Sequence, residues 1–200
     1  MIINGLTIIT GKNIFNNADM ILCECDKLGE EGYKIIDIDT QHDIHTREHD
    51  YITKKLLSFF EVKDLTYNDF VYRYKMYSHI VFSLFSATYP AENPENEIIL
   101  LRCPEIHLHP AFHRKIIDYL VEKININNYK FIVETYSGHI FNALRVNIKA
   151  GNIGLEKVSA YNIENYRVES IGFIADGKLA YWPKAFFDQN MYDYAILSKK

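Results

Sequence analysis

The sequence predicts a single α/β domain over residues 1–200, with a mainly parallel sheet flanked by helices and a C-terminal antiparallel segment. Three observations predict it. Short unbroken apolar runs, "LTIIT", "YKIIDI", "EIILL" and "KFIVE", have the look of strands buried on both faces. The segments between them are long enough for crossover helices and carry apolar residues at helical spacing. From residue 157 onward the pattern changes to "KVSAYNIE" and "VESIGFIADGKLAYW", where Asp176-Gly177 offers a tight turn.

In chain order, residues 2–9 read as a buried strand ending at Thr10-Gly11. A helix over Ala18–Leu28 follows, with Met20, Ile21, Leu22 and Cys25 to one side. "YKIIDIDT" is a second strand, and the histidine-rich stretch 41–50 a loop. Helices are expected over Tyr51–Phe60, with Ile52, Leu56, Leu57 and Phe60 in phase, and within Tyr67–Tyr89. The linker "PAENPENE" then releases the strand Ile98–Leu101. Ile116, Ile117, Leu120, Val121 and Ile124 mark an amphipathic helix, and "KFIVET" a further strand, so this stretch is a β-α-β unit. Right-handed crossovers gather ligands beyond the carboxyl ends of the strands, here Gly11, Arg102 and Thr135. An aromatic tail, "WPKAFFDQNMYDYAIL", is expected to close the antiparallel cap.

With 48% hydrophobic residues the chain can fill one core. A net charge of −4 carries no strong signal for nucleic acid. Cys23, Cys25 and Cys103 follow neither a disulfide nor a zinc spacing, which suits a reducing cytoplasm. No basic leader opens the sequence, and no apolar run approaches the roughly 18 residues of a membrane span, so a cytoplasmic protein is expected.

Four segments carry a resemblance: "LTIITGKN", "IILLRCPEIHLHP", "FIVETYSGHIF" and "YWPKAFFDQ". In this order and spacing they resemble the ATP-binding-cassette-like AAA ATPases of bacteria, in the group with a DUF3696-type C-terminal segment. The likeness covers residues 1–18 and about 97–190. It implies a P-loop NTPase fold like the heads of RecF- and Rad50-type proteins, where two heads enclose ATP. It also implies a setting in bacterial defence or DNA-repair-like complexes.

Against that pattern each chemical station is altered. A Walker A loop needs glycines for a phosphate nest, a lysine for charge and a hydroxyl for magnesium. In "GKNIFNNA", Gly11 and Asn13 fit, but Ile14 and Asn16 stand where glycines are wanted, Asn17 where lysine belongs and Ala18 where the hydroxyl belongs. Lys12 sits too early to replace the lysine. The strand that should end in a magnesium-holding carboxylate ends in Arg102 and Cys103, and a guanidinium has no lone pair for a metal. Tyr136 replaces the family's histidine in "ETYS", and "VYRYKMYSHIVFSLF" has no glycine for a signature loop. Metal, ammonium and water-positioning groups together supply most of phosphoryl-transfer catalysis. A pseudo-ATPase is therefore expected, with no catalytic residue and no bound metal.

Glu105 and Glu134 remain as acidic survivors, and a Glu134–Arg102 ion pair across neighbouring strand ends is one expectation. Cys103 beside Arg102 raises a second, a thiol with lowered pKa. His107, His109 and His113 have a spacing compatible with a metal, but packing and interface roles, shared with His139, are preferred. The set His42, His45 and His49 with Asp43, Glu48 and Asp50 reads as a solvated loop. Tyr72, Tyr74 and Tyr77 fit a core or an interface. The favoured function is a protein-binding subunit, as a homodimer or beside an active ATPase or nuclease. The alternatives are a sensor in which Lys12 and Arg102 hold ATP or ADP without magnesium, and an unconventional hydrolase using Glu134 or Glu105.

Overall fold

The computed structural model describes residues 5–11, 14–38, 55–56, 58–61, 80–81, 83–88, 94–182, 187 and 189–199, with backbone alone for 14–19, 190 and 191. Six strands form one sheet: β1 (Leu6–Gly11), β2 (Lys34–Ile38), β3 (Glu97–Arg102), β4 (Lys130–Glu134), β5 (Val158–Glu164) and β6 (Arg167–Ser170). The helices whose bounds lie within the described residues are α1 (Ile14–Glu30), α2 (Pro110–Asn127), α3 (Gly138–Lys149) and α4 (Gln189–Leu197), and the described residues between 55 and 59 and between 80 and 87 are helical as well. The strand order is β2-β3-β4-β1-β5-β6. The first five run parallel, and β6 turns back antiparallel to β5.

Alternation along the strands divides the core into two layers. Leu6, Ile8, Ile99, Leu101, Phe131 and Val133 face α2 and α3, meeting Ile116, Leu120, Phe141 and Leu144. Ile9, Ile98, Leu100 and Ile132 face the other way, onto Ile21, Cys25 and Leu28 of α1. Strands with helices on both faces read as continuous apolar runs, which is why Ile98–Leu101 shows no polar alternation. The step from β1 to β2 crosses the sheet in one direction, while β3 to β4 and β4 to β5 cross in the other. Right-handed crossovers then place α1 opposite α2 and α3, and the reversal falls at the carboxyl end of β1 beside β4, where sheets of this kind gather ligands.

Local chemistry explains the helix ends. Pro110 opens α2, where a missing N–H is harmless. At its far end Asn128 adopts φ 56°, a left-handed cap that asparagine tolerates. Ser137 caps α3, its Oγ accepting from the N–H groups of His139 at 3.2 Å and Ile140 at 3.4 Å.

Three expectations need correction. The helix after β1 begins at Ile14, not Ala18, so Ile14 to Ala18 are helical backbone. Without glycine at Ile14 or Asn16, nothing favours the left-handed φ of a phosphate nest over helix. "KVSAYNIE" belongs to the parallel sheet as the neighbour of β1, and the antiparallel segment starts only at β6. Its turn is Asn165-Tyr166, at φ 51° and 60°, which matches a two-residue type I′ hairpin. Asp176-Gly177 does make a second turn, with Phe173 bridging Leu179 and Gly177 at φ 76°. The aromatic tail closes only in part. Phe187 packs on Phe141 at 5.8 Å, whereas the described side chains of α4, Tyr192 to Leu197, are all exposed.

The stretch 41–50 and its histidines, and Tyr72, Tyr74 and Tyr77, lie outside the described residues. Of "VYRYKMYSHIVFSLF", Ile80, Val81, Leu84 and Phe85 are described and buried in the core. Among the described residues no helix is long and apolar enough to cross a membrane.

Candidate functional site

The carboxyl ends of β1 to β4 meet on the α1 face. Period-two alternation puts Asp37, Arg102 and Glu134 there, in line with Ile35, Leu100 and Ile132. Arg102 lies between the other two in the sheet.

Its guanidinium forks onto Asp37, with Nε donating to Oδ1 at 3.1 Å and Nη2 to Oδ2 at 2.7 Å. This bidentate ion pair replaces the expected Arg102–Glu134 pair as the main engagement of the arginine. Arg102 and Glu134 are register partners, as their positions implied. Yet β2 offers the more accessible carboxylate, its side chain 39% exposed and so cheaper to pair, whereas Glu134 is 3% exposed.

Glu134 accepts a hydrogen bond from the Tyr136 hydroxyl at 2.9 Å. Burial raises its pKa above the ordinary carboxylate range. The Tyr136 bond and Arg102 work against that rise, and Glu105 and Asp37 add to it. Tyr136 is held at both ends, because its backbone N–H donates to Glu105 Oε1 at 2.8 Å. Glu105 Oε2 is buried and has no hydrogen-bond partner among the described residues. Tyr136 thus ties two carboxyl groups together.

Cys103 does not have the lowered pKa expected beside an arginine. Burial pushes its thiol up to about 12, with Glu105 and Glu134 adding to the effect and Arg102 opposing it. Its backbone sits at φ 47° and its N–H donates to the Glu134 carbonyl at 2.8 Å, which stitches the turn after β3 to the end of β4. Cys25, on α1 under the same cluster, is likewise pushed up to about 11 by burial.

The histidines lie in the turn after β3 and on two helices, not on a strand end. His107 is exposed at φ 64°. His109 caps α2, its Nδ1 accepting from Ala111 N–H at 3.2 Å. Buried His113 lies 3.1 Å from the Leu108 carbonyl through Nε2, so that nitrogen carries the proton. Nδ1 then accepts from Ser137 Oγ at 3.0 Å. His113 thereby joins the turn, α2 and the cap of α3, with the exposed His139 ring 5.9 Å away. Among the described residues, no three His, Cys, Asp or Glu side chains are grouped to hold a metal ion.

Gly11 ends β1, half-buried beside Ile163. Lys12 and Asn13 lie outside the described residues, and Asn16, Asn17 and Ala18 are described as α1 backbone only. Asp37 is the participant that the sequence reading passed over. Its signal was an acidic residue inside the apolar run "KIIDI", which means little until the register sets it diagonally across from Arg102.

Chemically, the donor set does not fit magnesium. A cation coming to the end of β3 would meet a guanidinium already closed by a carboxylate, beside a glutamate whose burial favours the protonated form. No family model matches the chain, and no curated protein matches it.

Proposed function

We propose that the chain is a catalytically degenerate ATP-binding-cassette-like head, a pseudo-ATPase that works as a structural or regulatory protein-binding subunit. Its partner is a second copy or an active ATPase or nuclease. The observation that carries the reading is the Arg102–Asp37 fork. A position that phosphoryl transfer reserves for a magnesium ligand is taken by a cation neutralised from the next strand. The helical backbone from Ile14 onward supports it, since a phosphate nest there would require the helix to unwind. The parallel sheet, with a glycine-ended β1 leading into a helix, is compatible with a P-loop fold.

A nucleotide sensor is the second reading, and one observation favours it. The Arg102 side chain is 22% exposed, so a phosphate can compete with Asp37 for the fork. Thermal-shift and calorimetric titration with ATP, ADP and GTP, with and without magnesium, separates the readings. The pseudo-ATPase reading expects neither a shift nor heat. A magnesium-independent shift abolished in Arg102→Ala favours the sensor, and turnover lost in Glu134→Gln would establish a hydrolase.

A further inference from the structure

The outer edge of β6 matches a copy of itself. This strand ends the sheet, and all four of its residues are exposed. The bond from Ile171 N–H to the Ala160 carbonyl fixes the phase of the β5–β6 ladder. Bonded pairs recur every second residue, so Asn162/Glu169 and Glu164/Arg167 exchange hydrogen bonds as well. The N–H and C=O groups of Val168 and Ser170 therefore point away from β5. The Ser170 carbonyl accepts from the Tyr181 hydroxyl at 2.9 Å, which leaves Val168 as the residue with both groups turned outward.

We infer that this edge pairs with β6 of a second copy of the chain, antiparallel about a twofold axis through Val168. In that register Val168 of each copy exchanges reciprocal N–H···O=C bonds with its counterpart, and Arg167 stands opposite Glu169 on both sides of the axis. Other registers of the same phase do worse. Centring on Arg167 or Glu169 sets like charges face to face. Centring on Ser170 leaves both charges unmatched. A foreign strand meets an edge defended by alternating charge, while a copy turns the same residues into two ion pairs. Four residues bury little beside the roughly 1,200–2,000 Å² of stable complexes, so the dimer is weak and concentration-dependent. The inference does not rest on the pseudo-ATPase reading, because β6 lies at the sheet edge opposite β2 and β3.

Sedimentation equilibrium of the full chain over a wide concentration range tests it. A reversible dimer is expected. Arg167→Glu or Glu169→Arg alone should each raise its dissociation constant about tenfold, as two opposed pairs become repulsive, and the two together should restore it. The Val168 amide should exchange more slowly with solvent as concentration rises. A chain that stays monomeric throughout overturns the inference. So does a dimer whose affinity ignores both single charge changes, or one that the double exchange fails to rescue.

Discussion

Glu134 shows how one buried carboxyl can set the pH response of the molecule. In the unfolded chain it ionises in the ordinary range, while in the folded chain burial holds the proton to higher pH. Between those two values the unfolded state binds fewer protons, so this group's contribution to stability is complete at low pH. It is lost as pH rises through the folded pKa. Glu134→Gln keeps an acceptor for the Tyr136 hydroxyl and removes the titration. Denaturant unfolding from about pH 4 to 8 should show a smaller loss of stability with rising pH in the variant than in the parent. Cys103 makes the same point about environment. Its neighbour in sequence is an arginine, but its neighbours in space are two carboxyl groups and apolar packing, and these prevail. Sequence adjacency suggested an activated thiol, whereas desolvation depends on the fold as a whole and cannot be read from two letters.

At the level of elements, the parallel strands were legible because burial on both faces leaves an unbroken apolar signature, as in Ile98–Leu101. The helix over Pro110–Asn127 was legible for its in-phase isoleucines and leucines. The Asn165-Tyr166 turn was not. Asparagine is a fair signal there, but a tyrosine at φ 60° runs against its own preference and is held by the ladder on either side. The placement of β5 was missed for a related reason. "KVSAYNIE" alternates as an antiparallel strand does, because its polar Asn162 is buried beside Thr10. Tyr166→Gly should relieve the strained backbone and stabilise the fold by about 1 kcal/mol, read as a higher denaturation midpoint with an unchanged denaturant slope. Asp37 and Arg102 belong to the same lesson. Each residue was visible, but their fork depends on the β2–β3 register, which no local pattern announces.

Across the whole molecule, stability is graded from the middle of the sheet outward. Strands β1, β3 and β4 are packed between helical layers, while β6 and α4 stand exposed. Native-state hydrogen exchange should therefore find the slowest amides at Ile8, Ile99 and Val133, and exchange close to that of unstructured chain along Tyr192–Leu197. The strand order has a further consequence during synthesis. β1 leaves the ribosome first, yet both of its partners, β4 and β5, lie in the second half of the chain. Until residues 130–164 have emerged, the buried, apolar β1 has neither of its sheet partners. The nascent chain thus depends on a long-range closure that comes late, with an exposed, aggregation-prone segment waiting for it.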